Sequence, residues 1–127
     1  HRIHKIFAWS LYLIKILIYY NILIYKGWKK MNKEDERVRV LADKLKALAH
    51  PARLCMVKKL YLHGECNVSY FVDCMPMSQS SISQHLAKLR DLGIVQIERQ
   101  GQEIHYMLVD EDVKNMMKTL FEGEEDE

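Results

Sequence analysis

Acidic residues are absent from the first thirty positions of this 127-residue sequence. Residues 1–30 hold six basic side chains, no aspartate or glutamate and no methionine, whereas all seventeen acids and all seven methionines lie from Met31 onward. Removing the thirty residues leaves thirteen basic against seventeen acidic side chains, a net charge of −4. The formal charge of +2 for the whole chain therefore describes neither part.

The sequence also lacks the motifs of enzyme active sites. It shows no pair of catalytic carboxylates, no nucleophile with an adjacent base and no glycine-rich phosphate loop. No internal repeat is visible. A chain of this length holds one domain with a modest core, which excludes a multidomain enzyme.

The apolar segment Ile6 to Tyr25 has two interpretations. It is long enough to cross a bilayer as a helix with cytoplasmic lysines after it, although Lys15 near its centre costs about 2.5–3.5 kcal/mol on insertion scales. Alternatively, residues 1–30 are translated intergenic DNA before a mis-set start. Ile, Leu, Tyr, Lys, Asn and Phe, whose codons are mostly A/T-rich, fill 22 of these positions. We expect the second interpretation, in which Met31 is the initiator. A membrane is a partner only if residues 1–30, the leader, are a real part of the protein.

Apolar periodicity predicts two helices at the start of the remaining chain. From Asp35 to Ala49 one helix face carries Val38, Leu41, Leu45 and Leu48. Pro51 opens the next helix, which runs to Leu62 and ends at Gly64.

A third helix combines an apolar side with a polar side. Ser78 is a good N-cap for a helix from Gln79 to Leu92, and Gly93 closes it. Its apolar side carries Ile82, Leu86 and Leu89. The opposite side is formed by Ser80, Gln84, Ala87 and Asp91.

The pattern then changes to strand periodicity. Ile94 to Glu98 and Glu103 to Val109 predict a two-stranded ribbon whose polar, basic tip is Arg99-Gln100-Gly101-Gln102. A last helix from Glu111 to Glu122 precedes an acidic tail at residues 123–127. Residues 31–122 thus predict a mainly α domain with a two-stranded β-wing, a winged helix-turn-helix.

This arrangement predicts double-stranded DNA as the partner. The alternative, if the leader is real, is a membrane-attached module that uses the winged-helix scaffold for contacts with other proteins. A helix fits the major groove while an adjacent ribbon reaches the backbone or the minor groove. Gln84 can contact adenine in two places, and the capped helix N-terminus favours a phosphate. The predicted DNA contacts are Ser78, Gln79, Ser80, Ser81, Ser83, Gln84, His85, Lys88, Arg99, Gln100, Gly101 and Gln102.

Several motifs resemble the ArsR/SmtB family of bacterial transcriptional repressors. They are LAHPARL at 48–54, SQSSISQHLAKLR at 78–90, GIV at 93–95 and RQGQEIHY at 99–106. The resemblance implies a cytoplasmic homodimer paired through the first and last helices of the domain. It also implies a palindromic operator near the protein's own promoter and release by an inducer.

The expected dimer interface is apolar. The last helix has a methionine-rich face that a 97-residue domain cannot easily bury alone. The predicted interface residues are Leu41, Leu45, Val113, Met116, Met117 and Leu120.

The resemblance does not extend to the metal sites of the family. Asn67 and Ser69 occupy the positions of a Cys-x-Cys pair, while Asp112 and Gly123 replace the two histidines that would follow Asp110. We therefore expect no cofactor at these sites. Cys55, Cys66 and Cys74 are either small packed thiols of a reducing cytoplasm or a thiol sensor that could take a metal or metalloid.

Overall fold

The computed structural model describes residues 2–124, apart from the side chains of residues 31–34. This part of the chain forms six helices and three strands. The helices are α1 (Arg2–Glu34), α2 (Glu36–Leu48), α3 (Pro51–His63), α4 (Val68–Cys74), α5 (Gln79–Asp91) and α6 (Glu111–Phe121). The strands are β1 (Glu65–Asn67), β2 (Val95–Gln100) and β3 (Glu103–Leu108).

The chain divides into two compact units, His1–Val40 and Leu41–Glu127. In the first unit, the part Arg2–Lys30 of α1 is long and apolar enough to cross a membrane, by length and composition only. Its described side chains are exposed except for half-buried Ile16. Because α1 continues to Glu34, no helix end marks residue 31, and the boundary at that residue stays a prediction.

The helix ends in the second unit follow from local chemistry. The His50 ring accepts a hydrogen bond from the Ala52 amide at 3.1 Å, and Pro51 occupies the first turn of α3. Gly64 ends α3 with φ 89°, a backbone conformation that residues other than glycine rarely adopt. The predicted helix from Pro51 is therefore confirmed, one residue longer than expected.

The strands form an antiparallel sheet in the order β1-β3-β2. The predicted hairpin is confirmed, with Val95 opposite Leu108 and Gln100 opposite Glu103. Strand β1 pairs with the other edge of β3, placing Cys66 opposite Tyr106. The sequence did not predict β1, because three residues are too few for a period and the pairing depends on a distant edge.

The core lies where α3 packs against α5, α6 and the sheet. Each fully buried large apolar side chain contributes about 1.5–3 kcal/mol relative to an exposed one. The large side chains with less than 2% exposure are Phe71, Met56, Leu60, Ile82, Leu86, Leu89, Ile94, Met117, Val57, Val95 and Val113. The predicted apolar side of α5 is confirmed, so its polar side faces outward.

The C-terminal end of the described chain is partly held by contacts. Lys58 Nζ lies 3.3 Å from Glu124 Oε1 and 4.7 Å from the centre of the Phe121 ring. The last three residues of the predicted acidic tail, 125–127, lie outside the described residues.

Candidate nucleic-acid interface

Helix α5 begins with a side-chain cap. Ser78 Oγ accepts a hydrogen bond from the Ser81 amide at 3.1 Å and also donates one to Ser81 Oγ. The cap satisfies one of the amides that a helix start leaves without an intrahelical partner. It therefore fixes where α5 begins and which side chains share its outer face.

The outer face of α5 carries short polar side chains. Ser80, Gln84, Ala87 and Asp91 are all exposed, as the sequence predicts, and the face has no large apolar residue. Ser81 is half-buried. The other exposed residues among the predicted contacts on or beside this helix are Ser78, Gln79, Ser83 and Lys88. Such a face can approach base edges closely, because it carries no bulky apolar side chain and its polar groups can form hydrogen bonds with the bases.

His85 has a different environment from the other predicted contacts. Its ring lies 4.6 Å from the His50 ring, centre to centre, and its Nδ1 lies 3.3 Å from Arg53 Nη1. Arg53 Nε donates to the Ala47 carbonyl at 2.7 Å, so Arg53 connects α2, α3 and α5. Burial, with the nearby charges of His50 and Arg53, lowers the pKa of His85 below its ordinary value of 6.5. A neutral ring in this position serves packing more than phosphate attraction.

The loop at the tip of the wing is shorter than predicted. Its turn consists of Gly101 and Gln102 alone, with Gly101 at φ 65°, whereas Arg99 and Gln100 belong to β2. All four are exposed. The longer loop expected from the sequence was wrong, because Arg99 pairs with Ile104 and Gln100 with Glu103 in the ladder.

The wing is also less basic than predicted. Glu98 and Glu103 are exposed near its end, and Arg99 is the one cation within β2 and β3. Residues of a strand alternate between faces, so Arg99 projects on the side opposite Glu98. One side of the wing therefore carries a positive charge and the other carries negative charges.

His105 lies at the base of this acidic side. Its Nε2 is 3.0 Å from Glu103 Oε2, and its Nδ1 is 3.6 Å from Glu65 Oε1. Within the described residues, this Nδ1 is the one buried side-chain nitrogen or oxygen without a hydrogen-bond partner. The sequence places His105 in the predicted strand Glu103 to Val109 but does not indicate this cluster, because only the pairing of β1 with β3 brings Glu65 to it.

Two residues at positions where the family resemblance would place metal ligands cap helices. Asn67 Oδ1 accepts from the Tyr70 amide at 2.9 Å at the start of α4, and Asp110 Oδ1 accepts from the Val113 amide at 3.0 Å at the start of α6. Asp110 also forms an ion pair with Lys44. Over the described part of the chain, no group of three or more His, Cys, Asp or Glu side chains is placed to hold a metal ion.

The three cysteines lie on three different elements. Cys55 is half-buried on α3, Cys66 is buried on β1 and Cys74 is exposed at the end of α4. None is in a disulfide. Cys66 and Cys74 do not share a helix, because Cys66 belongs to β1 and Cys74 to α4.

The predicted dimer residues separate into two groups. Val113 and Met117 have no exposed surface and belong to the core around α3, so assigning them to the interface was wrong. Leu120 is 61% and Leu45 51% exposed, and Leu41 and Met116 are half-buried. Periodicity found the apolar stripe of α6 but did not tell which half faces the core.

Comparisons with known proteins agree with this arrangement. The family described as "Bacterial regulatory protein, arsR family" matches residues 50–96. The transcriptional repressor PagR of Bacillus anthracis is 38% identical over 90 residues, covering 71% of this chain and 85% of PagR. The biofilm growth-associated repressor of Agrobacterium fabrum is 33% identical over 87 residues, covering 68% and 74% of the two chains.

Solved structures give the same result. Reduced HlyU from Vibrio cholerae superposes with a TM-score of 0.64 at 32% identity, covering 70% of this chain and 93% of HlyU. The PagR crystal structure gives a TM-score of 0.61 at 37% identity, covering 65% and 94%. The fold is a winged helix-turn-helix, and the family match and these relatives show the class of protein, a DNA-binding transcriptional regulator. The chain belongs to the ArsR family.

Proposed function

We propose that this regulator is a homodimeric repressor that binds a palindromic operator near its own promoter in the cytoplasm and leaves it on an inducer signal. The observation that carries the proposal is the outer face of α5, with Ser80 and Gln84 exposed above three fully buried leucine and isoleucine side chains. Repression itself is supported by relatives such as PagR, whose name describes a transcriptional repressor.

In this proposal α5 enters the major groove and the wing contacts the backbone. Gln84 contacts base edges, which is worth about 1–3 kcal/mol of discrimination for a good bidentate pair. The wing approaches DNA with its Arg99 side and its Gly101-Gln102 turn, because Glu98 and Glu103 would repel phosphates. Base recognition by α5 and general attraction by Arg99 are thus separate contributions.

The dimer is supported by apolar surface that the second unit leaves uncovered. Leu41 and Leu45 on α2 and Met116 and Leu120 on α6 retain exposed area, and an ion pair joins Lys44 of α2 to Asp110, the residue that caps α6. Two copies pairing through this surface would be related by a two-fold axis. A two-fold protein matches an operator with inverted half-sites.

Binding to DNA from the protein's own upstream region tests the proposal. The full chain is expected to shift this duplex at low salt in preference to an unrelated duplex of equal length. The Ser80→Ala/Gln84→Ala variant should lose that preference, whereas Arg99→Ala should weaken binding to both duplexes similarly. Absence of any preference in the parent chain would contradict the operator proposal.

The inducer is proposed to be thiol-reactive, a metalloid or another small molecule, with Cys55, Cys66 and Cys74 as candidate sensors. The test measures operator release against zinc, cadmium, arsenite, persulfide and peroxide, with each cysteine replaced by serine in turn. A thiol sensor requires that at least one variant lose release. Equal release by all three variants and the parent would remove the thiol hypothesis.

Residues 31–122 are proposed as the functional unit, with residues 1–30 as a leader and 123–127 as a solvated tail. The support is that every contact described above for the DNA and dimer surfaces lies within Leu41–Glu127. Mass spectrometry of the protein purified from its native cells tests whether residues 1–30 are translated. A peptide from residues 6–25 would contradict initiation at Met31.

A further inference from the structure

A cavity of about 450 Å³ lies beside the outer face of α5. Three helices contribute one basic side chain each: Lys46 from α2, Arg53 from α3 and Lys88 from α5. The remaining lining residues are Asp43, Ala47 and Leu92. Lys88 is among the proposed DNA contacts, but Lys46 and Arg53 are not. The proposed function therefore does not account for the grouping of three cations at this cavity.

The charge of the cavity favours an anion. Three cations against the single carboxylate of Asp43 leave an excess of two positive charges. Charges of one sign in a partly enclosed space concentrate the field more than the same charges on an open surface. The cavity therefore attracts a multiply charged anion more strongly than chloride.

Arg53 provides a fixed donor within the cavity. Its bonds to the Ala47 carbonyl and to His85 hold the guanidinium in place. These two contacts use two of the five N–H groups of an arginine, and three remain. A guanidinium with its orientation already fixed is well suited to phosphate-type oxygens, because little side-chain entropy is lost on binding.

Lys88 connects the cavity with the DNA-binding face. It is exposed on α5 four residues after Gln84, and residues at this spacing are neighbours on a helix surface. An anion in the cavity thus lies next to the side chains that approach the groove.

We propose that this cavity binds a phosphate-type oxyanion through Arg53, Lys46 and Lys88. The oxyanion is carried either by the DNA backbone or by a small phosphorylated molecule, and 450 Å³ leaves room for part of the carrier. Asp43 limits the affinity by repulsion. The DNA source rests on the proposed function through Lys88, whereas phosphate binding by the free protein does not.

The first experiment titrates the full chain, without DNA, with inorganic phosphate at constant ionic strength. Amide NMR shifts of Ala47 and Leu92 report occupancy. We expect the shifts to saturate with phosphate concentration. The affinity for phosphate should fall about threefold or more in Lys46→Gln and should rise in Asp43→Asn. Lys118→Gln, which removes the same charge from an exposed position of α6, should behave as the parent. A purely structural role of Lys46 and Asp43 would not produce opposite changes in affinity.

The second experiment measures DNA affinity against salt concentration for the parent, Lys46→Gln and Lys118→Gln. A DNA phosphate in the cavity predicts that Lys46→Gln lowers the log–log salt slope by about one per bound protomer, whereas Lys118→Gln does not. Saturable phosphate binding with equal slopes assigns the site to a free phosphorylated molecule. The inference is overturned if phosphate binding is not saturable and the salt slopes of the parent and Lys46→Gln are also equal. If the parent binds no DNA, the proposed function fails, and the phosphate titration still decides the cavity.

Discussion

Helices α5 and α6 pack against the same helix, α3, but expose different chemistry. Each buries apolar side chains completely: Leu86 on α5 and Met117 on α6 both have zero exposure. The exposed remainder of α5 is mostly polar or charged and includes Ser80, Gln84 and Lys88, whereas that of α6 includes Leu120, which is 61% exposed. The buried faces determine where the helices lie, and the exposed faces determine their partners. A polar face suits DNA, and an uncovered apolar face suits a second protein chain.

The largest expected effect distinguishes the two halves of the α6 stripe. Met117→Ala should lower the free energy of unfolding by about 2–5 kcal/mol, because it opens a cavity in the core. Urea unfolding at two protein concentrations measures this loss, which should be the same at both. Leu120→Ala is the matched control on the same helix, and its loss should appear only where dimers form. A concentration-dependent loss for Met117→Ala would return this residue to the interface.

The next effect concerns dimerisation. Leu120→Glu should raise the dimer dissociation constant about thirtyfold or more, equivalent to about 2 kcal/mol, because it places a charge in an apolar interface. Sedimentation velocity over a concentration series measures the change. Lys118→Glu is the control, since helical periodicity places Lys118 on the opposite side of α6. Equal dissociation constants for both variants would separate α6 from the interface.

The corresponding change on α5 should affect DNA and not folding. Gln84→Ala should weaken binding to the preferred duplex about 5- to 150-fold, the equivalent of 1–3 kcal/mol, with unchanged thermal stability. Fluorescence anisotropy measures the affinity. Gln96→Ala removes another exposed glutamine, from β2, and should bind as the parent does. The assignment of the groove helix fails if Gln96→Ala has the larger effect.

The cap of α5 has a smaller effect. Ser78→Ala removes the acceptor for the Ser81 amide and should cost about 1 kcal/mol of stability, within a usual range of about 0.5–2. Urea unfolding checks this value. Ser83→Ala, inside the helix, should be neutral or slightly stabilising, because alanine favours helices. Similar unfolding curves for the two variants would contradict a capping role.

The smallest effect is the response to pH through His85. The unfolded chain takes up a proton near pH 6.5, whereas the folded chain, in which the pKa is lowered, takes it up only at more acidic pH. The stability that a neutral His85 provides is therefore full above about pH 6.5 and is lost as the pH falls through the lowered pKa. Urea midpoints from pH 8 to pH 5 should fall more in the parent than in His85→Gln. Equal declines would show that His85 does not carry this response.

Local signals predicted most of the fold. Ser78, Pro51 and Gly64 set helix ends through chemistry that neighbouring residues complete, so these boundaries were predictable. Strand β1 and the split of the α6 stripe were not predictable, because each depends on an element distant in sequence.

In the candidate site too, features that depend on neighbouring residues were predictable, and contacts between distant elements were not. The exposure of Ser80 and Gln84 follows from helix periodicity, and the sequence indicated it correctly. The contacts of His85 with His50 and Arg53 join three helices and leave no periodic signal. The acidic side of the wing was not predicted: Glu98 and Glu103 stand in the sequence, but their grouping with Glu65 requires the pairing of β1 with β3.

The central claim is that the protein is a two-fold symmetric dimer in which α5 of each protomer recognises DNA bases. Selection from a random duplex library tests this claim most directly. The full chain and Gln84→Ala would each select from 30-base-pair duplexes, and the enriched sequences would be compared. The account predicts an inverted repeat for the parent and relaxed preference at one symmetry-related pair of positions for Gln84→Ala. An identical motif for both proteins, or no enrichment by the parent, would contradict it.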